Sequence, residues 1–405
     1  MTGAFELILI AASLVAIAPA LFFAVETAGA FLPARRFKST GSHGPIAVIV
    51  PAHNEGAGIA ATLADITAQL RPNDRLIVVA DNCTDDTAEK ARAAGAEVFT
   101  RDDPQKRGKG YALQFALDAL RDAPPEIVAF FDADCRLEEG ALEKIAETAA
   151  ATERPVQALY LMTAPAGAPA RLSVAAFAWL VVNRVRMRGL DRLAGVTRLT
   201  GSGMAAPWKR LADLDLASGD IVEDLGLSIA LARRGAAAIL REDAVVTSVF
   251  PVSEDAAVKQ RARWEHGSLG VMRARGLPLL VEGLRKGNLR LAALALDLFI
   301  PPLTVLGALI AALTVLTAPA VFFGLSTPFA LALAAAALFG SALAAAWTGF
   351  GRGALPPAAL GGLARYLADK LGVYGRTGKT AAASWTRTER PGEGDKPAGG
   401  DGEAK

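Results

Sequence analysis

The sequence predicts an α/β fold, a mostly parallel sheet with helices on both faces, flanked by transmembrane helices. Three observations predict it. Through residues 46–250, short apolar and β-branched runs alternate with segments of helical period. Carboxylate-bearing clusters stand where three of the first four runs end. Two long stretches without a charged residue, 7–25 and 298–351, bracket that region.

IAVIVP (46–51), RLIVVA (75–80), AEVFT (96–100) and EIVAFF (126–131) are continuous apolar or branched runs of strand length. Between them ATLADITAQL (61–70), DDTAEKARAA (85–94) and KGYALQFALDAL (109–120) repeat their apolar residues at three and four, the helical period. Such alternation makes βαβ units, whose parallel strands are buried on both faces. Ligands then bind beyond the carboxyl ends of the strands. HNE (53–55), DNCTDD (81–86) and DADC (132–135) stand at those ends. Each alone reads as a turn with a helix cap, Thr84 or Asp85 serving the helix that follows. Capping does not account for carboxylates at three of four strand ends. Further on, RLSVAAFAWLVVNRVRMRGL (171–190) predicts a long helix with a broad apolar face and four arginines, suited to the membrane surface or to the acceptor side of a site.

A bilayer core needs about 20 apolar helical residues, and residues 1–32 hold one such stretch, an N-terminal transmembrane anchor. A cleavable leader is the rival, with AGA (28–30) as its cleavage site. No Lys or Arg precedes the run, however, and it is long for a leader. Arg35, Arg36 and Lys38 follow it, so by the positive-inside rule that end faces the cytoplasm. Residues 290–350 are expected to form two more spans, over 291–317 and 327–350, with a turn at TAPA or STP. Arg352, Arg365, Lys370, Arg376 and Lys379 return the chain to the cytoplasm. The expectation is a multi-pass protein of the inner (plasma) membrane with residues 45–285 on the cytoplasmic side. Asp297, at the edge of the second span, is either interfacial or a functional intramembrane carboxylate. Residues 355–386 read as amphipathic or interfacial, with Leu360, Leu363, Leu367 and Leu371 in one stripe. Residues 387–405 are Gly/Pro/charge-rich and read as a disordered tail.

Composition narrows the function classes. Hydrophobic residues make up 52% of the 405 and mean hydropathy is +0.32, high for a soluble enzyme. A net charge of +2 gives no case for nucleic acid. Cys83 and Cys135 cannot build a disulfide framework or a CxxC zinc site, and each is expected reduced at a strand end. No GxGxxG follows the first strand, which argues against a dinucleotide-binding dehydrogenase.

Five short motifs occur in order: IVPAHNE (49–55), VVADNCTDDT (78–87), FFDADC (130–135), VEDLGLSIAL (222–231) and QRARW (260–264). An Asp-x-Asp alone is a weak signal, and the other four give it meaning. Together they resemble the family 2 glycosyltransferases, membrane-associated enzymes of GT-A fold that use sugar nucleotides. The resemblance is greatest to the cellulose, chitin and poly-N-acetylglucosamine synthase-like branch, with its DxD, ED and Q-x-x-R-W. It covers residues 45–285 and implies a GT-A domain there, a Rossmann-like, mostly parallel sheet. Val222 departs from the Thr or Gly usual before the ED pair and leaves both acids in place.

A nucleotide sugar carries a diphosphate, and breaking its sugar–phosphate bond builds charge that a divalent cation offsets. All-oxygen ligation suits Mg2+ or Mn2+, with Asp132 and Asp134 as candidate ligands; capping of the strand is the plain alternative. The resemblance makes Asp134 the main ligand and sets Asp132 near ribose and metal. It likewise sets Asp81 against the base, with Pro51, Ala52 and Glu55 flanking the nucleotide. Lys109, at a helix start between Gly108 and Gly110, is a phosphate contact or a solvated lysine. Glu223 and Asp224 suit a helix N-terminus in any protein. The resemblance makes Asp224 the general base, with Glu223 beside it. Such a base contributes about 10²–10⁴-fold.

Arg263 offers a forked, permanent charge to the departing diphosphate, and Trp264 a flat face for an acceptor sugar, with Gln260 completing the motif. An amphipathic helix with a buried Trp is the alternative. Gly201, Ser202 and Gly203 in GSGMA resemble a small-residue loop that lets an acceptor approach the backbone. His53 reads as a loop residue, and His266 as a more remote candidate metal ligand.

The expected function is inverting hexosyl transfer from a nucleotide sugar, a UDP-sugar in particular. The acceptor is a hydroxyl of a polyprenyl-diphosphate-linked or growing glycan, in exopolysaccharide or cell-envelope polysaccharide synthesis. Two alternatives stand beside it: a processive polysaccharide synthase, and a non-catalytic membrane scaffold that keeps the fold. Three spans are few for a translocation pore, so a processive enzyme would call for a homo-oligomer or other polysaccharide-assembly proteins.

Overall fold

The computed structural model describes residues 2–37, 41, 43–165, 167–218, 222–251 and 254–367, without the side chains of 2–3 and 254–263. The 387–405 tail, and the 355–386 segment from 368 onward with Leu371, lie outside the described residues.

After α1 (Thr2–Gly29), four strands follow the four apolar runs: β1 (Ile46–Ala52), β2 (Arg75–Asp81), β3 (Glu97–Arg101) and β4 (Ile127–Phe130). They lie in parallel as β3-β2-β1-β4, joined by α2 (Ile59–Thr67), α3 (Thr87–Ala93) and α4 (Lys109–Ala119). Alternate residues of a strand face opposite sides. Ile46, Val48 and Val50 therefore pack with Ile59, Leu63 and Ile66 of α2. Ala47, Ile49, Ile77 and Val79 pack with Leu113, Ala116 and Leu117 of α4 on the other face.

The second half adds β5 (Arg136–Leu137), α5 (Ala141–Thr152), β6 (Val156–Thr163), α6 (Ala170–Leu180), α7 (Met187–Ala194), β7 (Met204–Pro207), α8 (Trp208–Leu211), α9 (Glu223–Arg233) and β8 (Ile239–Val249). The complete sheet runs β3-β2-β1-β4-β7-β6-β8-β5. Here β7 is antiparallel to both β4 and β6, β6 and β8 are parallel, and β5 is antiparallel to β8. The sheet is thus mixed and mostly parallel, a GT-A-like arrangement. A π-helical turn, Val181–Arg186, joins α6 to α7 in one continuous helix, the one expected over 171–190.

Then come α10 (Glu254–Arg285), α11 (Leu289–Leu298), α12 (Leu303–Thr317) and α13 (Ser326–Ala346). Among the described residues, three helical stretches are long and apolar enough to cross a membrane: Ala4–Gly29, Leu303–Phe323 and Ser326–Gly351. They pack together through Phe23, Ile310, Ala332 and Ala335.

The second stretch differs from the expected 291–317. Pro301 and Pro302 end α11 and start a new helix, because proline offers no N–H and disfavours helix in the residue before it. Asp297 consequently lies in α11, outside the three stretches, and is buried. Arg186 Nη2 stands 2.7 Å from its Oδ1 and Arg198 Nε 3.1 Å from its Oδ2. Arg186 also pairs with Glu26 of α1 at 2.9 Å. Nearby, a Cβ on Gly189 would fall 1.8 Å from the Glu26 carbonyl oxygen, so glycine is what lets α7 touch α1.

Candidate active site

Parallel register places Asp81, last in β2, opposite Arg101, last in β3. Asp81 is fully buried. Its Oδ1 accepts from Arg101 Nη1 at 2.6 Å and from Asn82 Nδ2 at 3.0 Å. Its Oδ2 is buried with no hydrogen-bond partner among the described residues, a costly state for a carboxylate oxygen unless a ligand donates to it. Pro51 and Ala52 lie across from Val79 and Ala80 on β1. His53 Nδ1 stands 2.8 Å from the Asp81 carbonyl oxygen, an arrangement that braces the loop.

Asn54 and Asn82 hold left-handed backbone, φ 56° and 50°, which asparagine tolerates. Asn54 Oδ1 accepts from Thr84 N at 2.7 Å, so the loops after β1 and β2 clasp one another. Glu55 N donates to Thr87 Oγ1 at 2.8 Å. Asp85 accepts from Thr87 N and Gly56 N at 3.1 and 3.0 Å, tying the start of α3 to the loop after β1, while Asp86 holds the N-cap position.

At the end of β4, Asp132 N donates to Ser202 Oγ at 3.0 Å, and Asp134 Oδ2 accepts from Ser248 Oγ at 3.1 Å. Cys135 Sγ shares a 3.0 Å hydrogen bond with the same Ser202 hydroxyl. One ligand atom each from Asp132, Asp134 and Cys135 lie within 4.8 Å of one another. Burial pushes the Cys135 thiol well above its ordinary value, with Asp134 and Asp132 adding to it. The thiol is therefore neutral, and the donors on offer are two half-buried carboxylates. Hard oxygen donors of this kind fit Mg2+ or Mn2+.

Lys109 opens α4 and reaches into the same place. It forms an ion pair with Asp132, donates to the Gly201 carbonyl oxygen at 2.8 Å and lies 3.8 Å from Glu223 Oε1. Gly201 marks where the groups meet: φ is +82°, and a Cβ there would lie 3.0 Å from Lys109 Nζ, 3.5 Å from Asp224 Oδ2 and 4.0 Å from Asp132 Oδ2. Buried Gln157 holds this loop, donating to Ser202 O at 2.8 Å and accepting from Thr200 N at 2.9 Å. At Gly203, also left-handed, a Cβ would meet Ala158 and Val246 at 3.0 Å.

Glu223 and Asp224 begin α9. Burial raises Glu223 to about 8, with Lys109 opposing and Asp224 adding to the rise. Asp224 is also raised by burial, while Lys109 and the 2.7 Å hydrogen bond from Leu225 N pull the other way. Burial works against the charge of Lys109, yet Asp132, Glu223 and Asp224 together hold its ammonium above the ordinary lysine range. Ser228 Oγ donates to Asp224 O and accepts from Leu199 N, both at 2.8 Å, tying α9 to the loop.

Trp264, on α10, is half-buried and packs on Trp179 at 5.1 Å between ring centres. Trp179 in turn meets Tyr160 and Phe250 edge-on. The site tryptophan is thus one wall of an aromatic cluster rather than a lone platform. Beside it, His266 is half-buried, and a Cβ on Gly267 would lie 3.0 Å from Val222 Cγ1, so α10 passes next to the start of α9. The side chains of Gln260 and Arg263 lie outside the described residues.

Sequence reasoning missed Arg101, Gln157, Ser248 and Arg198, whose charge helps hold down Asp224. Arg101 had a signal, as the residue directly after the AEVFT run and at the end of a strand beside β2. The other three belong to no local motif and acquire partners only through the tertiary fold.

The family described as Glycosyltransferase like family 2 matches residues 43–267. Among solved structures the fold is similar to that of a mannosyltransferase from Pyrobaculum calidifontis in complex with GDP-Man and Mn2+. The two share 22% identity at a TM-score of 0.50, over 84% of this chain and 99% of that one. A glucosyl-3-phosphoglycerate synthase from Mycobacterium tuberculosis, in complex with Mn2+, UDP and glucosyl-3-phosphoglycerate, aligns at 22% identity and TM-score 0.37, over 58% of this chain and 86% of that one. No curated protein matches the chain.

Proposed function

The chain belongs to glycosyltransferase family 2, and from that premise we propose that it is a membrane-bound, inverting hexosyltransferase. It takes a nucleotide-sugar donor, a UDP-sugar, and glycosylates a hydroxyl of a polyprenyl-diphosphate-linked or growing glycan in exopolysaccharide or envelope polysaccharide synthesis. The domain faces the cytoplasm, with Arg35 and Arg36 following the first apolar helix on that side. One observation carries the reading: Asp132, Lys109 and Asp224 converge on Gly201, so the donor end and a carboxylate base meet at one point.

In this mechanism Asp81 accepts a hydrogen bond from the base through its unpartnered Oδ2, between Pro51, Ala52 and Glu55. Asp132 and Asp134 would hold Mg2+ or Mn2+; such an ion offsets the charge that develops on the departing diphosphate. Lys109 adds a fixed positive charge beside Asp132. Asp224, its basicity raised by burial, takes the proton from the acceptor hydroxyl. The new oxygen–carbon bond forms at the anomeric carbon as the bond to the diphosphate breaks, and the electron pair leaves with the diphosphate. A single in-line displacement inverts the centre. Gly201, Ser202 and Gly203, buried in the fold, form the floor beneath the acceptor, Trp264 presents a ring to it, and Glu223 supports the base. By their place in QRARW, Gln260 and Arg263 are assigned to the acceptor and the departing diphosphate.

QRARW also favours a second reading, a processive synthase of the cellulose and chitin synthase-like branch, in which further chains complete the pore. Sizing the product on a defined lipid acceptor separates one added sugar from a polymer. The base assignment is tested by metal-dependent UDP release in membranes. Asp224→Asn is expected to lower it by about 10²–10⁴-fold, and turnover at the wild-type rate overturns the assignment.

A further inference from the structure

We propose a phosphate-binding site outside the catalytic centre, built by Arg35, Arg154 and Arg290 around Gly195, that takes the phosphate of a bilayer lipid headgroup or a free phosphate ion. The inference rests on the membrane-bound reading above. Gly195 ends α7 in the left-handed region, φ 65°, and a Cβ there would lie 3.1 Å from Arg35 Nη2 and 3.8 Å from Arg290 Nε. Arg154 Nη2 donates to the Gly195 carbonyl oxygen at 2.6 Å, with its Nε fixed on Ala237 O at 2.8 Å. Three guanidiniums thus reach one glycine from three elements: the segment after α1, the turn before β6 and the first turn of α11.

One carboxylate, Asp191, faces them, and it is shared with Arg192. Asp191, fully buried, already pairs with Arg35 at 3.4 Å and with Arg192 at 2.9 Å. Glu242 is taken by Arg192 and Arg188. Arg290 is exposed and makes no ion pair among the described residues. Burial lowers Arg154 to about 10, with Arg290 and Arg35 adding to the shift and Asp191 opposing it. A planar guanidinium fork suits phosphate oxygens, so a bound phosphate would relieve this crowding.

Apolar surroundings point to a lipid as the source. Phe31 and Leu32 shortly before Arg35, Leu193 two residues before Gly195, and Leu289 next to Arg290 are all exposed, Leu289 at 72%. Basic groups fringed by exposed apolar side chains, just beyond a membrane helix, match the headgroup layer of a bilayer. No member of this cluster belongs to the Lys109–Asp132–Asp224 centre.

The test uses the full chain in phosphatidylcholine nanodiscs, with and without phosphatidylglycerol, and separately with inorganic phosphate. Melting temperature and lipid retention in native mass spectrometry are the readouts. Phosphatidylglycerol is expected to raise the melting temperature and to be retained. Arg290→Gln and Arg35→Gln should each weaken its apparent affinity about fivefold, while Arg36→Gln, an exposed neighbour of equal charge, should not. Stabilisation by inorganic phosphate alone, lost in Arg290→Gln, supports the site with a free ion as its source. Equal losses in all three variants would mean diffuse attraction to an anionic surface and overturn it, as would no effect of either anion. Failure to enter nanodiscs counts against the membrane reading alone, because the phosphate arm still reports on the site in detergent.

Discussion

Two buried charge clusters sit within one chain, and they are built on opposite rules. At the junction of α1, the π-helical turn and α11, Glu26, Arg186, Asp297 and Arg198 set two carboxylates against two guanidiniums, in contacts of 2.7–3.1 Å. At the sheet edge, Lys109 faces Asp132, Glu223 and Asp224, with Asp134 close to Asp132. Asp297 is 1% exposed there, whereas Asp132 is 30% exposed here. The dry cluster fastens helices together. The open one gathers the groups of the candidate site. Burial raises Glu223 to about 8, so it is protonated at neutral pH, and Asp132 and Asp134 are the carboxylate pair that a divalent cation would join.

Replacing a ligand on the open side gives the largest expected effect. Asp134→Asn should lower metal-dependent turnover about 10³-fold, several kcal/mol of charge stabilisation, and should weaken Mn2+ binding in titration calorimetry while leaving the melting temperature nearly unchanged. Retained Mn2+ affinity would show that Asp134 is not a cation ligand. On the closed side Asp297→Ala should reverse this pattern. It leaves Arg186 and Arg198 buried with Glu26 as their one remaining carboxylate, a loss of about 3–5 kcal/mol, read as a lower melting temperature. If stability hardly moves, the junction is not the fastening described.

The same contrast explains what the sequence disclosed. The parallel half was legible because IAVIVP, RLIVVA and EIVAFF are buried on both faces and need nothing but apolar runs. DADC, DNC and VED were legible because their acids follow those strands or open a helix. The antiparallel β7 was not, since MAAP carries no β-branched side chain and is a strand only through its neighbours. Likewise Gln157, Ser248 and Arg198 serve the site from distant elements, and no spacing announces them. Lys109 was read as a phosphate contact or a solvated lysine; its ion pair with Asp132 depends on how α4 packs against the Gly201 loop. The Pro301–Pro302 break was present in the sequence, yet an uncharged run concealed it.

The smallest expected effect concerns the proton on Glu223. Its native value of about 8 stands above the ordinary 4.5 because burial disfavours the carboxylate. The folded protein therefore keeps a proton that the unfolded chain releases across that interval. Its contribution to stability is full below about 4.5, shrinks as pH rises and is gone above about 8. Between those limits the metal-free protein should lose no more than a few kcal/mol relative to Glu223→Gln, whose side chain is neutral throughout. Melting temperature followed from pH 5 to 8.5 in both proteins reads this directly. A gap that opens with rising pH, the wild type falling below the variant, supports a neutral Glu223 beside Lys109. Parallel curves would mean that Glu223 keeps an ordinary carboxylate value and is ionised throughout that range.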